Sequence, residues 1–431
     1  MSRIAVLGAG ITGVTTAYLL SRAGHEVTVL ERKLYAAMET SFANGGQLSA
    51  SNAEVWNQPS TLTKGLRWMM QKDAPLLLNP RPSLHKYGWL AEFLWAIRKY
   101  RENTITTTQL AIEARQHLFA MAEQEGIDFD LEKRGILHFY HDRASFEVAS
   151  RANALLQAGG LERHAVTPRE IREIEPTLKG EYFGGFYTPS DATGDIHKFT
   201  RGLAAACERR GVRFLYGREV EGLQFPPQGV NVELRPLDAA TDKPVGRPES
   251  LDFDAIVICG GVGSRKLAAM AGDRLNVYPV KGYSITVHLD DEASVQGAPW
   301  VSLLDERAKI VTSRLGADRF RVAGTAEFNG ENRDIRADRI EPLVRWTRAN
   351  FSLNTSRVVP WAGLRPMMPD MMPRVKRGRR AGVYYNTGHG HLGWTLSGAT
   401  ATQLVALVEG DVLARRAVQV PVAADLAEDS V

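Results

Sequence analysis

Three glycines near the N-terminus have the spacing of a dinucleotide-binding turn. They are Gly8, Gly10 and Gly13. In such a turn the first glycine allows a sharp bend, the second lets the backbone approach a pyrophosphate, and the third lets a helix pack closely on a strand. The N–H groups at the start of that helix then attract the phosphates. The pattern predicts a cofactor held by Gly8, Ala9, Gly10, Ile11, Thr12 and Gly13.

An acidic residue stands where the ribose of such a cofactor would lie. Glu31 ends the second apolar run of the chain, and a carboxylate there accepts hydrogen bonds from ribose hydroxyls. It also disfavours the additional phosphate of NADP, which leaves FAD and NAD. Arg32 follows it and is predicted to border the same cofactor.

Three further segments are rich in small residues and suit close contact with a cofactor. The first spans residues 41–47, the second begins at Cys259 after a buried strand, and the third, residues 386–395, opens a C-terminal helix. The N-terminus of that helix can stabilise negative charge on a reduced flavin. Because the glycine fingerprint occurs once and all three segments suit a flavin, the sequence favours FAD over NAD.

The elements that must carry these residues form two groups. Strands of the first group are short and wholly apolar, as in a parallel nucleotide-binding sheet, and lie at 4–7, 27–30, 255–258 and 383–385. Helices are predicted at 11–23, ended by Gly24, and at 196–210, capped by Asp195. Strands of the second group alternate, as in an antiparallel sheet, and lie at 230–234, 283–289, 309–313 and 319–323.

The predicted fold class is α/β, with a Rossmann-type FAD-binding domain and an antiparallel-sheet α+β substrate domain. The FAD-binding domain is predicted to be discontinuous, built from residues 1–55, 195–275 and 360–431. The substrate domain takes residues 56–194 and 276–359. Residues 236–248 are expected to form an exposed loop, and those after Val420 a frayed tail.

The composition argues against several classes of function. The chain of 431 residues carries 53 basic and 49 acidic residues, interspersed along its length, so nucleic-acid binding is not expected. Its two cysteines form no disulfide or metal pattern, and His389 and His391 have no acidic or cysteine neighbour to complete a metal site. With no cleavable signal and no apolar run long enough to span a bilayer, a cytoplasmic protein is expected.

Longer motifs resemble those of a known family. They are Glu39-Thr40-Ser41-Phe42-Ala43-Asn44-Gly45-Gly46-Gln47, Tyr278-Pro279-Val280-Lys281-Gly282-Tyr283-Ser284, Trp361-Ala362-Gly363-Leu364-Arg365-Pro366 and Asn386-Thr387-Gly388-His389-Gly390, the last continued by Leu392-Gly393-Trp394-Thr395. In these the chain resembles the FAD-dependent D-amino acid dehydrogenases of the small-subunit type. They belong to the wider D-amino acid oxidase, glycine oxidase and sarcosine oxidase group.

The resemblance implies three residues at the reacting centre. Arg365 resembles the arginine that clamps the substrate carboxylate, since a guanidinium offers two parallel hydrogen bonds; the alternative is a structural ion pair. Tyr283 either hydrogen-bonds the substrate or is a core aromatic. His391 stands where the family usually carries a small residue, and a flavin-side or substrate-side role is expected. Lys281 is expected to be structural or to face the flavin, and Met371 replaces a residue of a glycine-containing turn.

The predicted flavin site extends beyond the glycine turn. Its further members are Glu31, Arg32, Ser41, Asn44, Gly45, Gly46, Gln47, Leu48, Val220, Gly260, Gly261, Gly388, Gly390, His391, Leu392, Gly393, Trp394 and Thr395. Relatives of the sarcosine oxidase type tether their flavin to a cysteine near the C-terminal motif. This chain has no cysteine there, so its FAD is expected to be non-covalent.

The implied reaction is the oxidative deamination of D-amino acids. The Cα hydrogen moves as hydride to flavin N5, and the resulting imino acid is hydrolysed to a 2-oxo acid and ammonia. The electrons are expected to pass to a quinone or another respiratory acceptor. Three alternatives remain open: a dehydrogenase of D-hydroxyproline or D-proline, an amine oxidase of the glycine or sarcosine type that uses O2, and an NAD- or flavin-binding module without turnover.

A helix rich in aromatic residues is predicted near Trp89. Apolar residues recur at helical spacing up to Ile97, and Lys86, Arg98 and Lys99 flank them. Such a helix can lie on the cytoplasmic face of the inner membrane, with its basic residues at the headgroups. The alternative is an ordinary helix packed within the substrate domain.

Overall fold

A computed structural model of the chain describes residues 1–58 and 76–419. At its centre is a six-stranded sheet, here called the nucleotide sheet. Its strands are, in spatial order, Arg374–Arg377, Val383–Thr387, Ala255–Ile258, Arg3–Leu7, Glu26–Leu30 and Arg213–Leu215. All neighbouring strands are parallel except the first pair, which is antiparallel. The four apolar strands predicted from the sequence all lie in this sheet.

Helices cover the nucleotide sheet and bury its apolar side chains. The helices that share its core are Ile11–Arg22, Tyr100–Glu125, Ile196–Arg209 and Gly393–Gln419. Asp195 caps the third of them, because its carboxylate accepts hydrogen bonds from the N–H groups of His197 and Lys198. The first helix ends slightly earlier than predicted: Ala23 is its C-cap, and Gly24 follows with a φ of +84°.

A second sheet, the large sheet, lies beside the first. Its main path runs through Val358–Met367, Tyr278–His288, Arg319–Phe328, Ile310–Leu315, Ser302–Asp305, Ile136–Tyr140, Gly184–Thr188 and His164–Val166, and Leu76–Leu78 pairs with Arg319–Phe328. Most pairs are antiparallel, as predicted. Two are parallel: Ser302–Asp305 with Ile136–Tyr140, and Leu76–Leu78 with its partner.

Smaller elements complete the described part of the chain. The predicted strand at 230–234 belongs to a separate three-stranded sheet of Arg218–Gln224, Val230–Pro236 and Glu249–Phe253. Gln47–Leu48 pairs with Ala192–Thr193. The loop predicted at 236–248 is exposed from residue 239 onward, whereas the predicted tail after Val420 lies outside the described residues. The other helices are Leu84–Trp95, Arg143–Ala158, Pro168–Ile174, Ser264–Met270, Glu292–Gly297 and Ala337–Asn350, with 3-10 turns at Ala96–Lys99, Gly261–Gly263 and Gly390–Leu392.

The predicted division into domains stays a prediction, and two observed elements cross it. The boundary at residue 360 falls inside Val358–Met367, which hydrogen-bonds to Tyr278–His288 in the large sheet. The helix Tyr100–Glu125, assigned to the substrate domain, contributes Leu118 and Met121 to the core of the nucleotide sheet. Many residues of this helix are polar, so its sequence gives little sign that one side packs in that core.

Candidate active site

Residues of both sheets line one large cavity, of about 1460 Å3. Sites for small molecules usually measure roughly 300–1000 Å3. The cavity extends from the glycine turn after Arg3–Leu7 to the large sheet at Tyr278–His288 and Val358–Met367. Its size therefore suits a dinucleotide together with a small substrate.

The glycine turn at one end of the cavity is closely packed. Gly8 has a φ of +112°, and its N–H donates to the carbonyl of Leu30 at 2.9 Å. A Cβ on Gly13 would lie 1.9 Å from the carbonyl oxygen of Gly8. Only a glycine at position 13 therefore lets the helix approach the strand this closely.

Glu31 lies at the end of the neighbouring strand and lines the cavity. Its carboxylate accepts hydrogen bonds from the N–H groups of Ala9, at 2.7 Å, and Lys33, at 2.8 Å. Burial raises the pKa of this carboxyl, and the two backbone hydrogen bonds oppose that effect. The carboxylate is thus fixed beside the glycine turn, where the predicted ribose contact requires it.

The loop after Glu39 connects the glycine turn to the large sheet. The N–H of Ile11 donates to Ser41 Oγ at 3.0 Å, so this loop caps the first helix. At the other end of the loop, Arg321 donates to the carbonyl of Asn44 at 3.0 Å, and Ser313 donates to that of Gly45 at 2.6 Å. The loop is therefore held from both sides along the cavity wall.

Most of the predicted cofactor residues line the cavity. Three do not: Ala9, Gly13 and Leu48 lie behind the surface that the others form. The residues that do line it are Gly8, Gly10, Ile11, Thr12, Glu31, Arg32, Ser41, Asn44, Gly45, Gly46, Gln47, Val220, Gly260, Gly261, Gly388, Gly390, His391, Leu392, Gly393, Trp394 and Thr395. Their individual contacts with a cofactor stay predictions.

Arg365 lies on the cavity wall at the opposite end from the glycine turn. Its Nη1 donates to the carbonyl of Thr325 at 2.9 Å. Within residues 1–58 and 76–419 it forms no ion pair, and burial lowers the pKa of its guanidinium to about 10. At neutral pH it is therefore a cation that faces the cavity, and the described residues provide it with no counter-charge.

Tyr283 also borders the cavity, but its hydroxyl is already engaged. It donates to Glu327 Oε2 at 2.7 Å, and burial and this carboxylate raise its pKa. Lys281 lies in the same cluster and donates to Asn332 Oδ1 at 2.6 Å, with Glu327 at 3.5 Å. Lys281 is thus placed as a structural residue, and the predicted contact of Tyr283 with substrate would compete with Glu327.

His391 stacks against Trp56 beside Arg365. The two rings are 4.8 Å apart at 26°. Burial, and then the charge of Arg365, lower the pKa of His391 to about 3, so its ring is neutral. The neighbouring His389 hydrogen-bonds to Thr400 Oγ1 at 2.9 Å, and burial also brings its pKa to about 3.

Two residues of the site had no signal in the sequence. Trp56 follows no recognisable motif, and only the fold brings it onto His391. Thr325 has a φ of +61°, which is unusual for a β-branched residue, and a strand pattern gives no sign of it. Met371, by contrast, has a φ of +61° at the position where the family resemblance implied a glycine-containing turn.

Comparison with known proteins decides the family. The model of the family described as FAD dependent oxidoreductase, DAO, matches residues 3–407. The chain belongs to the DAO family.

Among the described residues, no cluster of side chains is suited to a metal ion, and no helix is long and apolar enough to cross a membrane.

Relatives within the DAO family match nearly the full chain. A protein named D-amino acid dehydrogenase 3 from Mesorhizobium japonicum is 60% identical over 416 residues, which are 96% of this chain and 98% of that protein. A D-amino acid dehydrogenase from Dechloromonas aromatica is 41% identical over 95% of this chain and 97% of its own.

Solved DAO-type structures share the fold. A glycine oxidase from Bacillus cereus superimposes with a TM-score of 0.68 at 20% identity, over 95% of this chain and 96% of that one. An L-proline dehydrogenase from P. horikoshii gives a TM-score of 0.71 at 16% identity, over 95% and 94% of the two chains.

As a DAO enzyme the protein uses FAD, and the cavity fits that cofactor. Trp394 Nε1 and Gln47 Oε1 belong to residues that line the cavity, and both atoms are buried with no hydrogen-bond partner among residues 1–58 and 76–419. Unpaired buried polar atoms are rare in folded proteins, and a polar ligand accounts for them. The residues from Gly8 to Thr12 and from Gly388 to Thr395 would hold the cofactor at its two ends.

Proposed function

We propose that this enzyme is an FAD-dependent dehydrogenase that converts D-amino acids to 2-oxo acids and ammonia. The observation that carries the proposal is Arg365, a cation on the cavity wall with no acidic partner in the described part of the chain. A partly buried charge is less well solvated by water and gains from a partner. A substrate carboxylate supplies the missing partner, and relatives named D-amino acid dehydrogenase support the substrate class.

The chain's own residues orient the substrate and keep its surroundings dry. Arg365 grips the carboxylate through two parallel hydrogen bonds and thereby fixes the position of Cα. The amine enters unprotonated, so no side chain is required to remove a proton from carbon. FAD, when bound, accepts the Cα hydrogen with its electron pair. His391 is neutral beside Arg365 and adds no second charge that would compete for the carboxylate.

The cysteines of the chain support a non-covalent cofactor. Cys259 borders the cavity, yet its Sγ faces Thr16 at 3.9 Å, and burial raises the pKa of the thiol to about 12. Cys207 is buried in the core of the nucleotide sheet. A buried thiol is a poor nucleophile, because the thiolate is the reactive form. Neither sulfur is therefore suited to attack the flavin.

A respiratory acceptor at the membrane is the second part of the proposal, and the helix Leu84–Trp95 supports it. The predicted aromatics Trp89 and Phe93 are buried, and Trp89 donates to the carbonyl of Met367 at 2.9 Å. The opposite face, here called the outer face, exposes Leu84 (95%), Tyr87 (49%), Leu94 (43%) and Trp95 (67%).

Basic residues follow this outer face at the C-terminal end of the helix. Arg98 stacks on Trp95 at 3.7 Å, and Lys99 and Arg101 are exposed next to it. Apolar side chains bordered by cations suit a bilayer with anionic headgroups. Leu84 and His85 of the same helix also line the cavity, so a quinone in the membrane would lie close to the cofactor site.

The proposal is tested by mixing the purified holoenzyme anaerobically with D-alanine, L-alanine or cis-4-hydroxy-D-proline and following the absorbance of oxidised flavin. Bleaching by D-alanine and not by L-alanine is expected. Faster bleaching by the hydroxyproline would assign a cyclic imino acid as substrate. Rapid recovery of absorbance on admission of O2, in place of added quinone, would assign an oxidase. Absence of bleaching by all three compounds would overturn the proposal.

A further inference from the structure

The floor beneath Arg365 is built in an unusual way. Gly282 and Gly363 lie directly opposite each other on the paired strands Tyr278–His288 and Val358–Met367. A Cβ on Gly282 would lie only 2.3 Å from Cζ of Arg365, and a Cβ on Gly363 only 2.1 Å from the indole of Trp361. The two glycines thus leave space on the sheet that the side chains of Arg365 and Trp361 occupy.

The conformation of Gly282 does not explain why it is a glycine. Its φ is not in the left-handed region, so any residue could adopt its backbone conformation. Glycine weakens the interior of a strand, because it loses more conformational freedom on folding and packs no side chain. The close approach of the Arg365 guanidinium accounts for the missing side chain.

The strand on the other side of Gly282 contains a β-bulge. Lys281 pairs with Glu327 and Tyr283 pairs with Gly324, so Thr325 and Ala326 together lie opposite the single residue Gly282. Bulges of this kind redirect groups next to active sites. Here the bulge turns the carbonyl of Thr325 toward Nη1 of Arg365, at 2.9 Å.

Thr325 has a left-handed backbone conformation at this contact. Its φ is +61°, and its Oγ1 is buried without a hydrogen-bond partner among the described residues. A left-handed conformation is unfavourable for a residue with a branched side chain. Strain of this kind persists where the surrounding structure supports a functional group.

We infer that Gly282 and Thr325 are positioning residues that seat Arg365 for substrate binding. Gly282 sets how deeply the guanidinium lies, and the carbonyl of Thr325 fixes its rotation by holding Nη1. The remaining N–H groups of the fork are left to face the cavity. This inference rests on the proposed role of Arg365 as the carboxylate clamp.

The test is the affinity of the holoenzyme for propionate, a carboxylate without an oxidisable amine, measured by titration calorimetry. Arg365→Leu is expected to abolish binding. Gly282→Ala is expected to raise the dissociation constant about tenfold, the effect of losing one charge-assisted hydrogen bond. Gly410→Ala, in the helix Gly393–Gln419, is the control, because its added methyl group meets nothing within 4 Å and Gly410 does not line the cavity; its affinity is expected to stay close to that of the wild type.

The outcomes separate this inference from the proposed function. If the wild type does not bind propionate, or Arg365→Leu still binds it, the clamp itself is wrong. If Arg365→Leu loses binding while Gly282→Ala retains full affinity, the inference fails and the clamp stands.

Thermal denaturation provides a second measurement that does not depend on ligand binding. Gly282→Ala is expected to lower Tm in the wild type and to lower it less in the Arg365→Leu background, where no guanidinium meets the new methyl group. An equal loss of Tm in both backgrounds would overturn the inference.

Discussion

Arg365 is the residue on which the proposed substrate binding depends. It is a cation on the cavity wall, and among the described residues its side chain forms one hydrogen bond, which goes to the backbone carbonyl of Thr325. Its neighbour His391 is neutral, because burial lowers the pKa of that imidazole to about 3. Recognition of an acid is therefore expected to depend on the guanidinium fork alone.

Replacing Arg365 tests this dependence at the level of the residue. Arg365→Leu is expected to raise KM for D-alanine about 100-fold, because two charge-assisted hydrogen bonds of about 1.5 kcal/mol each are lost. Arg365→Lys keeps the charge without the planar fork, and about a tenfold increase is expected. Steady-state kinetics with a quinone analogue as acceptor provide the measurement. The control is Arg143→Leu, because the side chain of Arg143 is 79% exposed. An unchanged KM in Arg365→Leu would contradict the proposed role of Arg365 as the carboxylate clamp.

Gly13 tests the packing of the first helix on the nucleotide sheet. Gly13→Ala would place a methyl group 1.9 Å from the carbonyl oxygen of Gly8, so the helix Ile11–Arg22 must shift away from the strand. We expect weaker FAD binding and a lower Tm, measured by flavin release on dilution and by thermal denaturation.

A matched substitution exists in another helix. Gly410 lies in Gly393–Gln419, and an added Cβ would meet nothing within 4 Å. Gly410→Ala is expected to raise stability by about 0.5–1 kcal/mol, since alanine loses less conformational freedom in a helix. If both variants behave alike, close packing is not the reason for a glycine at position 13.

The outer face of Leu84–Trp95 tests the proposed association with membranes. The double substitution Leu94→Glu and Trp95→Glu is expected to weaken binding to phosphatidylglycerol vesicles by more than about tenfold. Burial of each apolar side chain in the membrane contributes roughly 1.5–3 kcal/mol to the free energy of binding, and the substitution removes both contributions. Co-sedimentation with the vesicles is the measurement. Val359→Glu, at a residue 51% exposed on the large sheet, is the control; equal loss in both proteins, or none in either, would contradict a docking role for this helix.

Buried neutral histidines make the whole molecule sensitive to acid. His389 and His138 are each only 3% exposed, and burial lowers the pKa of both. In the unfolded chain an imidazole titrates near pH 6.5. The unfolded state therefore binds more protons below that pH, so stability falls as the pH drops from about 6.5 toward 3.

This sensitivity can be measured through His389. Because His389 stays neutral in the folded protein, the free energy of unfolding is expected to be about 2 kcal/mol lower at pH 5 than at pH 8. In His389→Gln the amide can still hydrogen-bond to Thr400 without titrating, so the difference in Tm between the two pH values should narrow. His164→Gln, at a residue whose side chain is 54% exposed, should leave that difference unchanged. A difference that persists in His389→Gln would contradict the assignment.

The sequence by itself determined the elements whose signals are local. The turn from Gly8 to Gly13, the acid Glu31 after the second strand and the apolar strands of the nucleotide sheet all follow from the spacing of a few neighbouring residues. Such patterns are informative because backbone geometry and helix–strand packing restrict which residues fit over short distances. The longer motifs added Arg365 and the FAD-dependent family to what the sequence indicated.

Only the tertiary structure decided how distant residues meet. The hydroxyl of Tyr283 reaches Glu327, Trp56 stacks on His391, and Thr325 contacts Arg365 across a β-bulge. These contacts depend on strand register, in which a shift of one residue reverses the face of every side chain. Alternation of residue types in a strand specifies one face toward the core, but it does not reveal a bulge in the partner strand. The position of Arg365 is therefore a property of the assembled sheet.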